Sequence, residues 1–320
     1  MKFVTDIIGP ELKIFESKFS DAVKSNTALL DSIMKYIIKR KGKQLRPMFV
    51  FLSAKLHGEI NETTYRAAAL VELLHTATLV HDDVVDESFE RRGFFSINAV
   101  WKNKIAVLVG DYLLSKGLLL STTNNDFQHL HILSDAVRKM SEGELMQIEK
   151  SRKLNLDEDI YFEIIKNKTA SLLSSACGVG AFSTTGSEEI TNKMKLFGEK
   201  VGIAFQIKDD LFDYGSAEIG KPTGNDIKEK KLTLPLIYTL NKVDAATKRK
   251  LIYNIKNNNK DTGKVKEIIE VVVTNGGIEY TEEKMFSYRD EALAILNSFA
   301  ETPVRKALEE LVRYTTDRKY

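Results

Sequence analysis

Apolar residues return every three or four positions through most of the chain, with Leu70, Leu73, Leu74 and Ala77 on one stripe and Leu133, Val137 and Met140 on another. That spacing is the 3.6-residue period of an α-helix, and sustained two-residue alternation of the strand type is scarce. Only five prolines occur and none lies between Pro47 and Pro222, so more than half of the chain holds no residue that forces a helix to stop. An all-α fold follows. Breaks are predicted at 41–47, at 90–98, near 154–158, at 184–187 and, longest, across 215–234, where Gly, Ser, Lys and Pro gather. The polar stretch 254–263 reads as a surface loop, and the region after about Lys242 as a helical appendix to a single domain spanning residues 1–320.

Composition narrows the class. With 320 residues, 43% hydrophobic and 29% charged, the chain is globular, and 47 basic against 45 acidic side chains leave a net charge of +2. No global field draws nucleic acid, so anion binding has to come from local clusters. Cys177 is the only cysteine, among Ser174, Ser175, Ala176 and Gly178, which excludes an intrachain disulfide and reads as a close helix contact. Asp6 and Glu11 interrupt the first apolar residues, unlike a signal peptide. The most apolar long stretch, 105–120, carries Asp111 and Lys116 and falls short of the roughly 20 apolar residues a spanning helix needs. The expectation is a cytoplasmic protein without a transmembrane segment.

Chemistry enters with two acidic clusters. Asp82, Asp83 and Asp86 lie within the helical run 71–87, and Asp209, Asp210 and Asp213 repeat the spacing on a second helical segment. Positions i and i+4 share a helix face, so Asp82 and Asp86 project together while Asp83 sits to the side. Either cluster alone also fits a solvated acidic face; two copies embedded in apolar helix sequence favour a cation site. Hard oxygen donors without His or Cys at metal spacing point to Mg²⁺, which commonly bridges carboxylates to substrate phosphates. His81, beside the first cluster, receives no role.

Cations complete a diphosphate site. Lys43 and Arg46 stand beside Pro47 at a helix start, Arg91 and Arg92 follow the first cluster, and 220–226 leads into Lys230 and Lys231 as a cationic lid. Each alone also fits a surface charge. The phosphate-binding pattern GxxxxGK[ST] is absent, which disfavours nucleotide chemistry.

The segments GKQLRP, ELLHTATLVHDDVVDE, RRG, GDYLL, EGELMQ, KTASL, FQIKDDLFDY and GKPTGNDIKEKKLTLPLIY, in that order from Gly42 to Tyr238, resemble the trans-isoprenyl (polyprenyl) diphosphate synthase family. The resemblance implies an all-α isoprenoid synthase bundle around a central cavity, a homodimer that joins isopentenyl diphosphate to an allylic diphosphate. It implies three Mg²⁺ ions held by Asp82, Asp86 and Asp209, with Asp83, Asp210 and Asp213 in support. Arg91, Lys168, Lys221 and Lys231 would bind the allylic diphosphate, and Lys43, Arg46, His75 and Arg92 the isopentenyl diphosphate. Thr169, Gln206 and the Lys168 carbonyl would face the allylic carbons. One departure is visible: the family has Gly-Lys where this chain has Lys230 and Lys231, which leaves the second lysine in place.

In the family, aromatic residues at the positions of Ala77 and Thr78 stop elongation early. Two small residues there imply a hexaprenyl to octaprenyl product for quinone side chains. The alternative is a farnesyl or geranylgeranyl product limited by a bulkier group deeper down, with Leu114, Leu118, Leu133 and Val137 as candidate floor residues. A terpene cyclase would mix Asn, Ser or Thr, and Glu in its second motif, and a non-catalytic partner subunit would not need both clusters intact.

Overall fold

Small and branched apolar residues fill most of the stretch from Ala67 to Val80, leaving only a narrow polar stripe at Glu72, His75 and Thr76, so most of this helix belongs inside the molecule. In the computed structural model, which describes residues 1–39, 42–91, 93–153, 157–215 and 223–318, it is α4 (Glu62–Val85). Asn61 and Thr64 start it with a reciprocal capping box. Before it come α1 (Lys2–Ala22), α2 (Ala28–Lys39) and α3 (Leu45–His57). After it follow a hairpin of β1 (Glu90–Arg91) and β2 (Phe94–Phe95), then α5 (Ile97–Thr123), α6 (Phe127–Lys153) and α7 (Glu158–Ile165). A π-helical turn (Lys166–Ala170) leads into α8 (Ser171–Thr185) and α9 (Glu188–Phe212). The short α10 (Asn225–Lys228) precedes α11 (Leu234–Lys242), α12 (Ala245–Asn257), α13 (Thr262–Thr274), α14 (Gly277–Asn297) and α15 (Pro303–Asp317). The antiparallel hairpin, with Glu90 opposite Phe95 and Arg91 opposite Phe94, is the only sheet among the described residues. The fold is all-α, as expected.

Two compact units make up the chain: Met1–Val137 with Leu172–Lys195 and Ala300–Glu310, and Arg138–Ser171 with Leu196–Phe299 and Leu311–Tyr320. In the first, Ile33 and Met34 of α2, Leu73, Ala77 and Val80 of α4, and Ala106, Val109 and Leu113 of α5 form a core. Extending beyond the 105–120 stretch at both ends, the 27-residue α5 is long and apolar enough to cross a membrane by length and composition alone. It buries Val109, Leu113 and Gly117 along one face and exposes Val107, Leu108, Leu118 and Leu119 elsewhere.

In the second unit, Ile203, Ile207 and Leu211 of α9 pack with Leu234, Leu236 and Ile237 of α11. Ile255 of α12, Ile268 and Val272 of α13 and Met285 of α14 belong to the same core. The region after Lys242 is therefore core rather than appendix, because its helices carry apolar stripes that α9 and α11 need as partners. The loop expected at 254–263 is also shorter: Asn254 is a buried residue of α12, and Asp261 already caps α13 by accepting from Gly263 and Lys264 N–H groups.

Candidate active site

Acidic side chains at a helix C-terminus repel one another and face the negative pole of the helix. α4 ends in three. Asp86 is its C-cap, and its N–H donates to the Asp82 carbonyl at 2.8 Å, which keeps Asp82 and Asp86 in i, i+4 register. Asp83 turns inward and is only 4% exposed. Its Oδ1 accepts from Arg91 Nε at 2.8 Å and Nη2 at 2.7 Å, and its carbonyl accepts from Asn98 Nδ2 at 3.0 Å. Asp83 thus orients Arg91.

His75 is buried on α4, two turns before Asp82, and its carbonyl accepts from the Thr78 hydroxyl at 2.9 Å. Of the two positions expected to gate chain length, Ala77 is wholly buried in the core and Thr78 is half-buried. Lys43 is exposed just ahead of α3 and Arg46 is half-buried in its first turn. Arg92 lies outside the described residues.

The second cluster is built against the π-helical turn, a departure from α geometry that often marks function. Two glycines admit it: a Cβ on Gly143 of α6 would lie 2.8 Å from the Lys168 nitrogen, and one on Gly202 of α9 would lie 2.6 Å from Ala170 Cα. The close approach lets Thr169 Oγ1 donate to Gln206 Oε1 at 2.7 Å. Gln206 Nε2 in turn donates to Asp210 Oδ1 at 2.8 Å, and the buried Tyr161 hydroxyl donates to Asp210 Oδ2 at 2.7 Å. Lys168, Thr169, Gln206, Asp210, Lys231 and Tyr161 line one cavity.

Burial raises the Asp210 carboxyl to about 7, with Lys231 opposing and Asp226 adding to the rise. Burial and Asp226 likewise raise Asp213 to about 6, although its carboxylate accepts the N–H groups of Asn225 at 2.8 Å and Asp226 at 3.0 Å. Asp209 pairs with Arg318, whose guanidinium lies 4.2 Å from the Phe205 ring centroid.

Three cations here have carboxylate partners: Lys168 pairs with Glu144, Lys231 with Asp226 at 3.1 Å, and Arg318 with Asp209. Glu144, Asp226, Arg318 and Tyr161 were not singled out by sequence. Glu144 sits in the EGELMQ segment and Asp226 in the lid segment, so both carried a signal; nothing along the chain sets Tyr161 apart from other aromatics at helical spacing. Lys221 lies outside the described residues. Lys230, where the family has glycine, has φ 60°, the left-handed conformation glycine adopts freely, and its Nζ donates to the Lys256 carbonyl at 2.8 Å.

Among the described residues no three Asp, Glu, His or Cys side chains gather into a metal cage. Mg²⁺ does not require one, since it keeps waters and uses one or two carboxylates with substrate phosphates. The donor set fits such an ion: hard oxygens at both clusters, and at the second, carboxyls raised by burial and by the neighbouring Asp226 charge, which a bound cation would offset.

A sequence profile for polyprenyl synthetase matches residues 27–272. The chain is similar to the all-trans-nonaprenyl-diphosphate synthase (geranyl-diphosphate specific) of Rhodobacter capsulatus, at 34% identity over 99% of this chain and 98% of that one. It is also similar to heptaprenyl diphosphate synthase component 2 of Bacillus subtilis, at 32% identity over 100% of this chain and 91% of that one. Among solved structures, the polyprenyl synthase of Caulobacter crescentus complexed with calcium and isoprenyl diphosphate superposes with a TM-score of 0.91 at 32% identity, covering 100% of this chain and 98% of that one. The chain belongs to the polyprenyl synthetase family and has its all-α isoprenoid synthase fold.

Proposed function

We propose that the chain, one polyprenyl synthase domain over residues 1–320, is a cytoplasmic, Mg²⁺-dependent trans-polyprenyl diphosphate synthase that adds isopentenyl diphosphate to an allylic diphosphate. The observation that carries this reading is the cavity where two lysines, a hydroxyl, an amide and a buried carboxyl converge: Lys168, Lys231, Thr169, Gln206 and Asp210. Cations and oriented neutral oxygens in one place suit a reaction that separates an anionic leaving group from a carbocation.

Asp82, Asp86 and Asp209 would hold Mg²⁺, with Asp83, Asp210 and Asp213 in support; bound there, the metal supplies Lewis-acid stabilisation of the departing diphosphate. Lys168, Lys231, Arg91 and Lys221 would add charge for the allylic diphosphate, with Lys43, Arg46, His75 and Arg92 for isopentenyl diphosphate. The hydrogen-bond chain from Thr169 through Gln206 to Asp210 gives the amide one orientation, with its oxygen toward Thr169. Held in this way, Gln206, Thr169 and the Lys168 carbonyl would face the allylic carbons. No side-chain nucleophile is required, and the released diphosphate can take the proton.

A long product, hexaprenyl to octaprenyl and suited to quinone side chains, follows from the small residues Ala77 and Thr78. The exposed apolar face of α5 supports a homodimer, since a second copy related by a two-fold axis would bury it. The similarity to a protein named as one component of a heptaprenyl synthase favours a second reading, in which turnover needs another chain.

The test is mass spectrometry of products made by the purified chain from isopentenyl and farnesyl diphosphates with Mg²⁺, with its mass in solution measured by light scattering. Long polyprenyl diphosphates from a dimer of this chain alone are expected. Mainly geranylgeranyl diphosphate would overturn the long-chain assignment, and turnover only after a second protein is added would favour the two-component reading.

A further inference from the structure

Crowding Asp82, Asp83 and Asp86 into the last turn of α4 favours its unwinding, so the turn needs ties to its surroundings. Asp83 supplies one through Arg91 and Asn98. A second comes from His81. Its imidazole lies against α5 at Gly110, where a Cβ would come within 2.1 Å of Nε2 and 2.4 Å of Cδ2. Any side chain there would evict the ring.

From this seat His81 Nε2 is 3.2 Å from the Val107 carbonyl oxygen and 3.5 Å from Asp111 Oδ1. A carbonyl and a carboxylate both accept, so Nε2 carries the hydrogen and donates to Val107, with the Asp111 charge beside it. Val107, Gly110 and Asp111, spaced i, i+3 and i+4, form one notch on α5. The ring in that notch belongs to the residue preceding Asp82, so its seat limits how far the last turn of α4 can rotate.

We propose that His81 is a positioning residue: held in the Gly110 notch of α5, it sets the rotation of the last turn of α4 and hence the direction of the Asp82 and Asp86 carboxylates. The inference rests on reading those two carboxylates as cation holders.

The test compares wild type, His81→Ala, His81→Gln, Gly110→Ala and the His81→Ala/Gly110→Ala double variant. Mn²⁺ binding with inorganic diphosphate is followed by electron paramagnetic resonance, alongside steady-state kinetics and thermal melting. His81→Ala is expected to weaken Mn²⁺ binding roughly tenfold, the scale on which groups behind a metal ligand act. Its kcat should fall while KM for isopentenyl diphosphate stays within about twofold. Gly110→Ala should do the same by displacing the ring, and His81→Gln, which can still donate toward Val107, should recover most of the loss. In the double variant the added methyl fills vacated space, so Tm should return toward wild type while Mn²⁺ affinity stays low. Recovery of both together would mean that His81 only fills space and would overturn the proposal, as would undiminished binding in His81→Ala. A wild type that binds no Mn²⁺ with diphosphate would instead defeat the functional reading itself.

Discussion

The two acidic clusters share a sequence pattern and differ in how their middle aspartate is satisfied. Asp83 and Asp210 are 4% and 2% exposed, so both are buried carboxyls on helices. Asp83 meets a cation, Arg91, across the turn that leads into the hairpin. Asp210 meets two neutral donors, Tyr161 and Gln206, and its carboxyl rises to about 7 chiefly through burial. The same residue in the same pattern therefore does different work: Asp83 orients a cation, whereas Asp210 fixes an amide. Spacing sets which way an aspartate points, and its partner sets what it can do.

The largest test asks whether both clusters take part in the chemistry at all. Asp82→Ala and Asp209→Ala should each lower kcat by roughly 10³-fold, the scale of losing an electrostatic stabiliser, with circular dichroism unchanged. Near-normal turnover in Asp82→Ala would remove the first cluster from the mechanism.

Next come the partners of the middle aspartates. Arg91→Gln strips a buried carboxylate of its counter-charge and should cost about 2 kcal/mol by urea unfolding, below the full cost for a buried pair because Arg91 is 37% exposed. Tyr161→Phe removes a neutral donor and should cost about 1 kcal/mol. The reverse order would contradict the contrast drawn between the clusters.

A pH series sharpens it further. In the folded, metal-free protein Asp210 and Asp213 retain protons that the unfolded chain has already lost, since their values of about 7 and about 6 stand above the ordinary 3.8. Their contribution to stability is therefore most favourable below that ordinary value and declines as pH rises toward 7. Melting in EDTA should show this slope, and Asp210→Asn should flatten it; an unchanged slope would count against a raised Asp210 carboxyl.

The smallest expected effect is at Lys230, next to the lysine of the second cluster. Lys230→Gly should gain about 0.5 kcal/mol, because relief of the left-handed backbone outweighs the lost Nζ contact and the added chain entropy. Measurable destabilisation would mean that the Lys256 contact dominates.

The helical class, the breaks around the hairpin and near Gly186, and the face shared by Asp82 and Asp86 were legible because each depends on residues within a turn or two of one another. The aspartate motifs and the Lys168, Thr169 and Gln206 set were legible through the quoted segments. Tyr161 was not, since its partner Asp210 is 49 positions away and nothing local separates a core tyrosine from one that holds a carboxyl. His81 was given no role for the same reason: its seat is an absent side chain at Gly110 on another helix.

By itself the sequence determined the helical period and the places where carboxylates and cations cluster along the chain, all consequences of short-range geometry and charge. Only the tertiary structure decided which acid holds which base, that a π-helical turn enters between two glycines, and that α12 to α14 belong to a core. Those outcomes come from packing between distant segments, where excluded volume and burial select among partners that look equivalent along the chain.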